Sequence, residues 1–217
     1  GIQEMTAADF ALREGAIYDL HGRQHNEDVR EITVSHMATR YGVDLDHAER
    51  VVRTAERLRT QVADDWDLDT PELARYLSWA GTLHEIGLAI SHNRYHKHGS
   101  YLVENSYMPG FSRSLQQLMW ALIRTHRGDF KPHRFARQPE PLRTQGKRLC
   151  VLLRLAVLLN RARSENNLAT NLRAHARENE LTLEFDPEHL ANAPLTREDL
   201  RTEQRALRGA GFSVKFD

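Results

Sequence analysis

This chain of 217 residues contains a single cysteine and no excess of either charge. Cys150 can form no internal disulfide, so packing and hydrogen bonds must hold the fold, which fits a reducing cytoplasm. The thiol sits in the apolar run LCVLLRLAVLL (149–159), a setting that favours an inert buried cysteine over a reactive one. That run is the longest apolar stretch, is interrupted by Arg154, and is shorter than the roughly 18 residues of a membrane span. No signal peptide precedes it, so no membrane association is expected. Lys+Arg and Asp+Glu both number 30, which removes any global field toward nucleic acid or an anionic surface. Phosphate recognition would have to come from local clusters. The chain opens on Gly1 rather than methionine and enters a helical pattern almost at once, as expected of a piece of something longer.

With 40% hydrophobic and 28% charged residues, one domain of usual size plus a small appendage is expected. TAADFALREGAIYDL (6–20) reads as an amphipathic helix with Thr6 as N-cap, and the polar HGRQHNED after it as a linker, placing a boundary near residue 22. In DLDHAERVVRTAERLRTQV, Leu45, Ala48, Val51, Val52, Ala55, Leu58 and Val62 share one helical face, which His47 borders. Thr70-Pro71 is an N-cap followed by proline at the first helical position. From there Leu73, Tyr76, Leu77, Ala80 and Leu83 form a stripe that His84 extends. SRSLQQLMWALIRTH repeats the arrangement and ends at His126, with a loop rich in histidine and asparagine in between. Residues 148–159 are apolar nearly all round, as for a helix through the centre of a bundle. Beyond about residue 168 two short strands turning at Glu178-Asn179, a helix over TREDLRTEQRALRGAG and a last strand FSVKFD predict a small α+β subdomain. The expected organisation is therefore mainly α: a remnant and linker over 1–22, a helical bundle over 23–167 and the α+β subdomain over 168–217.

The histidines carry the chemistry. His47, the adjacent pair His84-Glu85, His98 and His126 fall at inward helical positions, and the connecting segment adds an ambiguous fifth imidazole, His92 or His96. Neutral imidazoles and a carboxylate converging from several helices suit a divalent metal, and adjacent His84 and Glu85 reach one ion only near a helix end, which Gly87 allows. Each histidine could equally donate one hydrogen bond to a backbone carbonyl in the core.

The strings H-x-x-R-V (47–51), L-H-E-I-G (83–87), H-G-x-x-L (98–102) and T-H (125–126) resemble the HD superfamily of metal-dependent phosphohydrolases. In that superfamily the dyad is His-Asp and a further aspartate stands on the late central helix. Here the dyad is His84-Glu85, and Val157, Leu158, Leu159 and Asn160 offer no carboxylate. The longer carboxylate would displace an ion and the missing one would leave its charge unneutralised, so the resemblance implies a site that has lost its metal.

FALREGAIYDL, LHEIGLAISHNRYHKHGSYLVENSYMPGFSR, IRTHRG and LLRLAVLLNRAR resemble the C-terminal half of the exopolyphosphatase and guanosine pentaphosphate phosphohydrolase family over residues 8 to about 163. The resemblance implies that hydrolysis of a terminal phosphoanhydride, with magnesium, belongs to an N-terminal actin-like half outside this sequence. No cofactor is then expected in this part, and a homodimer is. What the resemblance leaves here is a basic region, Arg94, Lys97, His98, Arg124, His126, Arg127 and Lys131, whose cations pair well with the phosphate oxygens of polyphosphate or guanosine pentaphosphate. Arg154, isolated in its apolar helix, is expected to pair with a buried carboxylate such as Glu85 or Glu104. Three readings follow: a substrate-binding and dimerising domain, a residual metal phosphohydrolase through His47, His84, Glu85, His98 and His126, or a purely structural module.

Overall fold

The computed structural model describes residues 28–163 and 171–216. Helix ends are set by side chains that satisfy the orphan amides of the first turn, a contribution of about 1 kcal/mol each. Asp28 accepts from the Arg30 N–H (2.9 Å) and opens α1 (Val29–Arg40). Asp44 accepts from the His47 N–H (3.0 Å) and opens α2 (Leu45–Val62). Thr70, followed by Pro71, opens α3 (Pro71–Leu83). A 3-10 turn, Ile86–Ala89, leads to α4 (Tyr95–Asn105), and Ser112 caps α5 (Arg113–Thr125). A second 3-10 turn, Pro132–Phe135, precedes α6 (Leu142–Leu159).

Helix α6 is buried on every side over Leu149–Ala156, the central position its uniform apolarity requires. Helices α2, α3 and α5 pack on it, and α4 lies against α5. Each fully buried leucine contributes about 1.5–3 kcal/mol, so this layer around α6 dominates the stability of the bundle. Cys150 is part of it, and burial pushes its thiol up to about 12, which leaves it unreactive.

The histidine-rich segment expected as a loop is instead helix α4 from Tyr95 onward. Its buried residues Tyr95, Gly99, Ser100 and Val103 do form a helical stripe, but Gly99 and the charged first turn weaken its signature.

After α6, β1 (Arg173–Arg177) and β2 (Glu180–Glu184) form an antiparallel hairpin. It turns at Glu178-Asn179, with Glu178 at φ 53. Helices α7 (Pro187–Ala191) and α8 (Pro194–Arg208) carry the chain over to β3 (Ser213–Phe216), which pairs parallel to β2. The sheet's inward residues Ala174, Ala176, Leu181, Leu183 and Val214 join the same apolar core as the bundle. Gln61 of α2 accepts from the Ala174 N–H (2.8 Å), and the Trp66 indole donates to the Glu178 carbonyl (2.9 Å).

Arg154 corrects an expectation. Its carboxylate partner is Glu203 of α8, not Glu85 or Glu104, and the same guanidinium donates to the carbonyls of Thr125 and Gly128. A lone cation in an apolar helix predicts that a carboxylate must meet it, but cannot specify one from beyond the bundle. The expected boundary at residue 22 lies outside the described residues, and that at 167/168 falls in the undescribed stretch 164–170. Among the described residues no helix is long and apolar enough to cross a membrane.

Candidate functional site

Helix α3 ends just before His84, and the chain bends at once into the 3-10 turn Ile86–Ala89. That bend lets adjacent His84 and Glu85 both face inward. Gly87 is what makes the bend compact: a Cβ there would stand 2.0 Å from the Tyr95 carbonyl oxygen and 2.4 Å from the Gly99 nitrogen. Backbone therefore packs on backbone, and the start of α4 is drawn against the ends of α3 and α5.

Two neighbouring regions result. The first is a dry row of imidazoles. The rings of His47 and His84 lie 5.5 Å apart, those of His84 and His126 also 5.5 Å, and His96 follows 6.3 Å from His126. His84 Nδ1 donates to the Gly81 carbonyl (2.6 Å), which leaves its buried Nε2 a bare acceptor without a partner. His126 Nδ1 donates in the same way to the Ile123 carbonyl (2.8 Å), and its Nε2 faces the Tyr95 hydroxyl at 3.5 Å. Burial holds His84 down at about 4, pushes His126 well below its ordinary value, and lowers His47 as well. All three are neutral at pH 7.

One atom each from His47, His84 and Glu85 converges to within 4.8 Å, the one group with metal-ligand composition among the described residues. Of the five expected ligands, His126 meets the His84 ring edge-on and half-buried His98 on α4 lies elsewhere, and neither is in the group. The ambiguous fifth imidazole is settled geometrically, with His96 in the row and His92 exposed. The donors do not fit a divalent ion as they stand. Tetrahedral arms of about 2.1 Å hold ligand atoms roughly 3.4 Å apart, whereas His47 Nε2 is 4.0 Å from Glu85 Oε1. Glu85 is moreover occupied: Arg163 Nη2 donates to both of its oxygens at 2.8 Å, while Arg163 Nη1 binds Asp44 at 2.8 Å. Asn160, where the HD resemblance would require a carboxylate, turns its amide to Thr54 (2.9 Å) and the Ala156 carbonyl (2.8 Å). Nothing in the sequence marks Arg163 or Asp44 as partners of this cluster, because their approach depends on where α6 ends.

The second region is wet and basic. Arg94 and Lys97 stand at the start of α4, Arg124 and Arg127 at the end of α5, and Lys131 and Arg134 around the following 3-10 turn. Their closeness shows in their electrostatics. The Lys97 ammonium is depressed first by Arg94, and further by Arg124, Arg134 and Lys131. His96 is held at about 4 by burial first, then by Arg124, Arg127, Lys97 and Arg134. Arg127 lies over the Tyr95 ring (4.8 Å), and Arg134 donates to the Arg124 carbonyl (3.2 Å). Among the described residues no carboxylate forms an ion pair with any of the six; the nearest acidic influence is Asp129 on Arg134. Arg94 is also held at φ 55, a left-handed conformation that costs a non-glycine residue about 1 kcal/mol. Cations at the first turn of α4 oppose the helix dipole, and no acidic residue stands there to offset them.

The family model of Ppx/GppA phosphatase, domain III, matches residues 29–204. The chain belongs to this family. Guanosine-5'-triphosphate,3'-diphosphate pyrophosphatases of Vibrio cholerae and Aeromonas hydrophila are each 34% identical to it, over 218 and 216 residues, covering 100% of this chain and 43% of theirs. The protein of that name from Pseudoalteromonas translucida is 32% identical over 216 residues, covering 98% of this chain and 42% of its own. The chain thus spans less than half the length of these curated relatives and aligns with part of a larger enzyme. Within the family domain the imidazole row and the basic region both fall inside the matched residues.

Proposed function

We infer that this chain is the C-terminal part of a phosphoanhydride hydrolase acting on guanosine pentaphosphate or polyphosphate, and that its basic region holds the polyanionic substrate. The observation that carries this reading is the set of Arg94, Lys97, Arg124, Arg127, Lys131 and Arg134, crowded together without an ion-paired carboxylate among the described residues. Elsewhere in the same molecule arginines find carboxylates readily, as Arg154 does with Glu203 and Arg59 with Glu56. Like charges gathered without compensation oppose folding, and phosphate oxygens relieve that repulsion by charge-assisted hydrogen bonds. His98, also on α4, and buried His126, which touches Tyr95 and His96, are the remaining members of the proposed lining.

An HD-type scaffold belongs to this reading and is supported by the convergence of His47, His84 and Glu85. The catalytic half, its magnesium and homodimerisation rest on the family resemblance, and a cytoplasmic setting on the single cysteine. Titration of the chain with long-chain polyphosphate and with guanosine pentaphosphate at two salt concentrations tests the binding. Affinity that falls steeply with salt is expected; absence of salt-dependent binding to either anion sinks the proposal. Sedimentation of the full-length enzyme tests the dimer, which a monomer at micromolar concentration would remove.

A further inference from the structure

The His47, His84 and Glu85 donors include a buried imidazole acceptor, His84 Nε2, with no partner in the protein, beside a carboxylate nine-tenths buried. Such a group seeks a cation. The cation on that carboxylate is part of the chain: Arg163 bonds Glu85 and leaves His84 Nε2 bare. Arg163 follows the end of α6 at φ 54, a strained conformation, and is pinned from three directions: both oxygens of Glu85, Oδ2 of Asp44, and the Arg50 guanidinium on its own carbonyl (3.3 Å). Burial and two carboxylates act on the guanidinium in opposite senses, and the carboxylates prevail, holding its proton more firmly than usual.

We propose that Arg163 is the resident cation of this cluster and shuts a transition-metal site that His47, His84 and Glu85 otherwise form. The geometry favours a guanidinium over an ion. His47 Nε2 and Glu85 Oε1 stand 4.0 Å apart, too wide for a sphere with arms of about 2.1 Å, whereas the planar guanidinium meets Glu85 and Asp44 at 2.8 Å. A divalent ion bound at Glu85 would compete with Arg163 for the same two oxygens and face its like charge, so the two exclude each other. When the guanidinium leaves, Glu85 is free to close with the two neutral imidazoles onto one ion. That donor set suits cobalt, nickel or zinc better than magnesium. Asp44 and Asn160 have prior engagements, with the α2 cap and with Thr54, so the opened site keeps positions for water.

The test is metal binding itself, read by metal content after purification without chelator and by the visible absorption of bound Co2+. The wild-type chain is expected to carry no stoichiometric metal. Arg163→Gln is expected to gain one Co2+ per chain, with affinity raised about 10- to 100-fold, the range by which groups adjoining a metal site alter its affinity. Arg163→Lys, which keeps the charge, should stay metal-free. Adding His84→Ala to Arg163→Gln should abolish the gain, which separates this site from surface histidines. Asp44→Asn retains an N-cap and releases one of the two carboxylates on Arg163, so it offers a milder variant should the glutamine variant unfold, with a smaller gain expected. Stoichiometric metal in the wild type overturns the proposal. So does a folded Arg163→Gln or Asp44→Asn chain with no gain.

Discussion

The dry imidazole cluster and the wet basic region adjoin each other, yet they handle charge in opposite ways. In the cluster every charge is settled: the imidazoles are neutral, and Glu85 and Asp44 are both taken by Arg163. In the basic region six cations share no ion-paired carboxylate among the described residues. Settled charge in a dry place holds a fold together, whereas unsettled charge at a surface is left for something else to meet. Candidate ligands read from sequence by residue type alone mix these two conditions.

The start of α4 reaches both regions through Tyr95 and His96, so the largest effect should come from displacing it. Gly87→Ala would place a Cβ against the backbone of α4, and a loss of about 3 kcal/mol or more is expected in urea unfolding. A change under 1 kcal/mol would show that α4 does not depend on this approach.

Acid should separate the regions next. His84 is held at about 4, against 6.5 for a free imidazole. A base depressed in the folded state binds its proton more readily when unfolded. Stability is therefore fully present above about pH 6.5 and lost as the pH falls toward 4. His84 alone accounts for about 2–3 kcal/mol of that loss. Denaturation midpoints between pH 7 and 4 check this, and His84→Gln should flatten the slope. A midpoint independent of pH in that window would contradict a neutral, buried row.

Arg163→Ala leaves Glu85 without a partner. Because Arg163 is itself about half exposed, the expected loss is about 1–2 kcal/mol rather than the larger figure for a fully buried pair. Smallest of all should be the stability effect of removing cations from the basic region: Lys97→Gln or Arg124→Gln should change stability by less than about 0.5 kcal/mol, or raise it slightly by relieving repulsion. A marked destabilisation would mean these side chains hold the fold.

Much of this architecture was legible in the sequence because it rests on local rules. Thr70-Pro71 and the apolar stripe of SRSLQQLMWALIRTH announced their helices, the apolar ring over 148–159 announced a central one, and Glu178-Asn179 marked the hairpin turn. His47, His84 and Glu85 were legible as inward-facing positions and do converge. What escaped depends on tertiary approach. Helix α4 forms because Gly87 and Gly99 let it sit on the 3-10 turn, a reason invisible in its own propensities. The partners Arg154–Glu203 and Arg163–Glu85 join segments 49 and 78 residues apart, and no local pattern selects one distant carboxylate over another. Arg134 was missed as a member of the basic region because its neighbours belong to α4 and α5.

The most direct measurement is the binding of long-chain polyphosphate to the wild-type chain and to the Lys97→Glu/Arg124→Glu double variant, across a salt series. If the basic region faces the polyanion, charge reversal should weaken binding more than tenfold and flatten its salt dependence, while the unfolding midpoint stays in place. Equal affinity and equal salt dependence in a folded double variant would contradict the assignment of this region to substrate.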